Sequence, residues 1–143
     1  MDEDRRRAFL DTACIALLCI EWTVFGSMHF SALQQTIDQI PSVFPAKRAI
    51  AIVTGVMEVG TGLLMLVPAA RTWAARASLF LLVILLPAML WIVFVDSATH
   101  SMGSFSGLFR IVILPNNFLL ALCSFRLSGL GRVRPLGRTR RVI

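Results

Sequence analysis

Two acidic residues, Glu21 and Glu58, stand inside long apolar runs. An ionisable group at hydrocarbon depth costs at least a few kcal/mol, so it normally faces a bundle interior and finds a partner. Glu21 lies nine residues before Phe30 and Glu58 nine after Ala49, which places each about 14 Å from the external end of its expected helix. Pro87, which cannot donate to the carbonyl of Val83, and Pro115, Asn116 and Asn117 come to nearly that depth in two further runs. Two carboxylates in one dry slice cannot both be ionised cheaply, so at least one is expected to hold a proton or to share a cation with the other. Nearer the outside, His29, Asp96 and Arg110 make a second candidate cluster, and Arg110 can snorkel outward or turn inward to a carboxylate. The same residues fit a structural ion pair such as Arg110 with Glu58, a site for a proton, a ligand or a quinone, or plain interfacial placement.

Gly55, Glu58 and Gly62 follow i, i+3, i+7 spacing, so one helix face carries a carboxylate between two positions where a neighbouring backbone can come close. Gly60 lies between them in sequence. His29 has no second histidine at ligand spacing, since His100 is far along the chain, and no metal site is expected. Cys14, Cys19 and Cys123 form no CxxC pair and fall in apolar runs, where a thiol usually serves as a small core residue.

The elements that must position these groups follow from composition. Of the 143 residues, 57% are apolar and 15% charged, with a mean hydropathy of +0.77. A soluble domain of this size cannot hide so much hydrophobic surface. The expected fold is all-α, an integral membrane four-helix bundle. Its spans are Ala8 to Phe30, Ala49 to Val67, Ala74 to Val95 and about Leu108 to Phe125. Glu21 interrupts the first run and no small-x-small site follows it, so a cleavable signal peptide is not expected there.

Basic residues set the orientation. Eleven of the 14, namely Arg5, Arg6, Arg7, Arg71, Arg76, Arg126, Arg132, Arg134, Arg138, Arg140 and Arg141, fall in one set of loops and ends. Lys47, Arg48 and Arg110 fall in the other, and both termini are therefore expected in the cytoplasm. Residues 1–125 form the expected four-span domain; residues 126–143 read as a basic, disordered cytoplasmic tail held by the anionic headgroups of the lipid bilayer. The net charge of +6 is explained by topology, so nucleic acid is not an expected partner. The outer segment Ser31 to Arg48, with Pro41 and Pro45, is expected to make a short interfacial helix followed by an extended turn, and Asp96 to Ser106 a flexible loop. No fixed-period repeat, Gly-rich phosphate loop, HExxH or nucleophile elbow occurs.

Gly26-Ser-Met-His29-Phe30, the loop Ile40-Pro-Ser-Val-Phe-Pro45, Thr54-Gly-Val-Met-Glu58, Gly62-Leu-Leu and Leu86-Pro87, in this order and spacing, resemble the DoxX-like group of four-helix membrane proteins. The resemblance covers about residues 20 to 95. It implies a bundle in a bacterial cytoplasmic (inner) membrane, with His29 and Glu58 on the group's recurrent polar positions. It also implies an association with quinone-linked oxidation of sulfur compounds or with redox-stress assemblies, which makes quinone a candidate cofactor. A protein partner or a second copy of the chain is a candidate companion. Arg110 is followed by Ile111-Val-Ile-Leu114, where members often carry a glutamine. Two other functions fit the residues: a non-catalytic scaffold or assembly factor whose polar layer fixes packing, and a small-solute transporter that would need an oligomer to form a path.

Overall fold

The computed structural model describes residues 2–94 and 105–130; at 92 and 105–111 the backbone alone is described. The described chain is all-α, with five helices and no strand. They are α1 (Glu3–Ser31), α2 (Leu33–Gln39), α3 (Lys47–Leu64), α4 (Arg71–Phe94) and α5 (Phe105–Ser128).

The breaks have local causes. Between α1 and α2, Ala32 leaves helical geometry at φ −123°. α2 ends because Ile40 precedes Pro41, whose ring pushes the preceding residue into the extended region that Ile40 adopts. The chain then turns, with the Phe44 amide donating to the Pro41 carbonyl. It enters α3 through Ala46, a non-glycine residue held at φ 54°. Residues 31–48 thus hold a short helix and a turn. At the far end α5 reaches Ser128, three residues beyond the expected boundary at Phe125, and stops at Gly129 in the left-handed conformation that favours glycine after a helix. The remaining tail, residues 131–143, and most of the loop from Asp96 to Ser106 lie outside the described residues.

α1 packs most extensively on α3, and α4 on α5. Both pairs are antiparallel: Gly26 meets Glu58 and Val59, while Gly62 meets Cys19 and Thr23. Likewise Ser78 of α4 meets Ser124 of α5, and Arg76 reaches Ser128. Consequently the start of α1, the Met65–Ala70 connection and the end of α5 gather at one end of the bundle. The core, Leu18, Trp22, Met65, Ala74, Ala75, Leu81, Leu82, Leu120 and Cys123, lies toward that end. Ala74, Ala75 and Ser78 are small, which lets α4 approach its neighbours closely.

Two helices, Glu3–Ser31 and Arg71–Trp91, are long and apolar enough to cross a membrane. Few residues of either apolar stretch are buried within the described fold. Phe9, Trp73, Phe80, Val83, Phe94 and Phe118 are each more than half exposed. An apolar girdle of this extent is unusual for a protein surrounded by water.

Candidate functional site

The best-defined polar site joins α1 to α3. Glu58 is buried, with 3% of its surface exposed, and its Oε1 lies 3.5 Å from Nε2 of His29. The other imidazole nitrogen, Nδ1, is 2.9 Å from the carbonyl oxygen of Ala51 and 3.2 Å from Oγ1 of Thr54. A carbonyl can only accept, so Nδ1 carries the hydrogen and donates it. Thr54 sends its own hydroxyl hydrogen to the carbonyls of Ile50 or Ala51, at 2.9 and 3.1 Å, leaving a lone pair toward Nδ1.

With Nδ1 committed, Nε2 is the nitrogen that faces the Glu58 carboxyl. A proton shared by the two makes either an imidazolium beside a carboxylate or a neutral imidazole beside a carboxylic acid. The pair is neutral in both forms, so the proton can change sides without placing net charge in an apolar interior.

Small residues make the approach feasible. A Cβ on Gly26 would lie 2.8 Å from Cβ of Glu58 and 2.7 Å from the Val59 amide nitrogen, and one on Gly55 would lie 2.6 Å from Cβ of His29. Any side chain at either position would force α1 and α3 apart. Gly62 continues the seam, whereas Gly60 has nothing within 4 Å of its Cβ position and belongs to the opposite face.

Glu21 is placed elsewhere. Glu58 sits at the level of Gly26, and Glu21 is five residues earlier on α1, about 7.5 Å along the axis. Equal counting from the helix ends therefore does not put the two carboxylates in one layer, because α3 begins beyond the level at which α1 ends. Glu21 turns toward α5 and accepts a hydrogen bond from Nδ2 of Asn116 at 3.3 Å. Nδ2 of Asn117 contacts Sδ of Met89 on α4 at 2.8 Å and also donates to the Ile113 carbonyl at 2.7 Å. Of the six residues singled out from sequence, the fold brings His29 together with Glu58 and Glu21 together with Asn116. The side chain of Arg110 lies outside the described residues, as do Asp96 and His100.

Sequence reasoning missed Trp22, Ser78 and Ser124. The Trp22 indole donates to Oγ of Ser78 at 2.7 Å, and that oxygen lies 2.7 Å from Oγ of Ser124. Both serines are fully buried. This chain of hydrogen bonds ties α1, α4 and α5 together, and its only sequence signal was polar atoms at helical positions in apolar runs. Thr54 was visible only as part of a motif. Among the described residues no group of three or more His, Cys, Asp or Glu side chains converges as a metal-binding set would.

The polar residues from Glu21 to Ser124 all lie within residues 18–128, which match the model of the family described as Domain of unknown function (DUF8561). The chain belongs to this family. No curated protein and no solved structure matches it. The DUF8561 match begins at Leu18, one turn before Trp22, and ends at Ser128, the last residue of α5. It thus takes in both the His29 and Glu58 site and the Trp22, Ser78 and Ser124 chain, and leaves out the Arg-rich tail.

Proposed function

We propose that this DUF8561 protein is a multi-pass protein of a bacterial cytoplasmic membrane, similar to the DoxX-like group. In this reading α1, α3, α4 and α5 cross the bilayer and both termini face the cytoplasm. Within it the protein serves a redox or quinone-linked system, and the His29 and Glu58 pair takes and returns one proton. The exposed apolar girdle and the gathering of Arg5, Arg6, Arg7, Arg71, Arg76 and Arg126 at one end support the placement.

The functional reading rests on one observation: an imidazole with Nδ1 committed to the Ala51 carbonyl and Nε2 set against a buried carboxyl. Reduction of a quinone carbonyl requires a proton at the oxygen. The His29 and Glu58 pair, on the outer half of the bundle, supplies one and is left with a single negative charge until it takes a proton back. The His29 side chain keeps 20% of its surface exposed, which gives a headgroup access to the imidazole.

The test is to purify wild type and Glu58→Gln in mild detergent and assay bound and added quinone by absorbance and mass spectrometry. The amide keeps the carboxyl's shape and removes its ionisable proton. Quinone retained by wild type and lost from a normally melting variant supports the site. Equal behaviour of the two proteins supports the second reading, a non-catalytic scaffold, which is favoured by the glycine-lined fit of α1 against α3.

A further inference from the structure

α1 and α5 meet in a constant antiparallel register. Asp11 accepts from Nε of Arg126 at 2.6 Å, and Glu21 accepts from Asn116 at 3.3 Å. Cys14 lies three residues after Asp11, and Cys123 three before Arg126; Glu21 and Asn116 lie seven further along in the same two directions. Steps of three and seven stay on one helix face, so the two outer contacts place Cys14 opposite Cys123 between them. Both cysteines therefore stand on the facing sides of α1 and α5. Cys123 is buried against the core and Cys14 is half-buried. Cys19, five residues after Cys14, lies off this stripe.

We propose that Cys14 and Cys123 form a cross-helix dithiol that an organic hydroperoxide closes to a disulfide. Hydroperoxides of this class partition into the apolar phase that surrounds α1 and α5 in the membrane reading. The more accessible sulfur, that of Cys14, attacks the outer peroxide oxygen. The O–O bond breaks, an alcohol leaves with the thiol proton, and Cys14 becomes a sulfenic acid. The Cys123 sulfur then displaces the sulfenic oxygen: the S–S bond forms, the S–O bond breaks, and water leaves with the second thiol proton. The two thiols lose two electrons and the peroxide gains them. The product links α1 to α5 at a point where two polar contacts already hold the helices in register. The inference is independent of the His29 and Glu58 site.

The test uses the full chain in lipid nanodiscs, treated with cumene hydroperoxide and mapped by peptide mass spectrometry. Wild type is expected to lose two hydrogens, to give a peptide linking Cys14 to Cys123, and to revert with dithiothreitol. Cys19→Ser should behave the same. Cys123→Ser should stop at a sulfenic acid on Cys14 that dimedone traps, and Cys14→Ser should yield no linked product. A wild-type map with no Cys14 to Cys123 link, or with Cys19 in the link, overturns the proposal. Should a serine variant fail to fold, the wild-type map and dimedone trapping decide alone.

Discussion

At the scale of single residues, His29 and Glu58 depend on each other unequally. Glu58 is the more deeply buried of the two, and His29 keeps its Ala51 contact if Glu58 is changed. His29→Ala leaves a buried carboxyl with no ion-pair partner among the described residues, whereas Glu58→Gln still offers an amide hydrogen to Nε2. His29→Ala is therefore expected to melt earlier than Glu58→Gln. A double-mutant cycle of His29→Ala and Glu58→Ala should return a coupling between about 0.5 and 3 kcal/mol, measured by thermal unfolding in detergent. Additive effects would show that the two side chains are neighbours without interaction. Ser78 gives a second case. Ser78→Ala removes the acceptor of the Trp22 indole and a partner of Ser124, and a buried donor left unsatisfied costs about 1–3 kcal/mol. Trp22→Phe combined with Ser78→Ala should recover part of that loss, since removing both partners is milder than stranding one.

At the scale of elements, the seam between α1 and α3 is set by backbone approach. A Cβ on Gly62 would meet Oγ1 of Thr23 at 2.5 Å, the Thr23 amide nitrogen at 2.9 Å and the Cys19 carbonyl at 3.0 Å. Two of these three atoms are backbone, so α1 itself must move, and Gly62→Ala should destabilise by about 1–3 kcal/mol. Gly60 sits two residues away with open space at its Cβ position. Gly60→Ala should be neutral, or stabilising by up to about 1 kcal/mol, through the better helix propensity of alanine. Melting curves of the two variants check the pair directly, and equal shifts would show that the seam lies elsewhere.

The glycine face was legible in the sequence because i, i+3, i+7 spacing is a property of one helix. The partner of Glu58 was not. Whether a carboxylate meets Glu21, Arg110 or His29 depends on the offset between helices, and no count along either helix contains that offset. α1 runs to Ser31 and α3 begins at Lys47, so the Gly26 level, and not the Glu21 level, faces Glu58.

At the scale of the whole molecule, the arginines gathered at one end predict the orientation. They are also tied into the fold there: Arg126 pairs with Asp11, Arg71 donates to the Met65 carbonyl at 3.1 Å, and Arg76 donates to the Ser128 carbonyl at 3.2 Å. Single cysteines at Gln35 and at Arg134, introduced into a cysteine-free chain, should be labelled by an impermeant maleimide from opposite sides of intact cells. Gln35→Cys should react from outside and Arg134→Cys only after permeabilisation. The reverse pattern would overturn the orientation.

Composition and period alone determined that the described chain is all-α, that its helices are apolar over long stretches, and that its basic residues cluster at alternate turns. These are local or summed properties, fixed by side-chain chemistry whatever the neighbours. Tertiary structure decided which groups face each other: His29 with Glu58, Glu21 with Asn116, Trp22 with the two buried serines, and, by the register of α1 on α5, Cys14 with Cys123. Each of those pairs joins residues 29 to 109 positions apart in the sequence. Their meeting is set by helix register, which follows from how glycines, alanines and serines let backbones approach across the whole bundle.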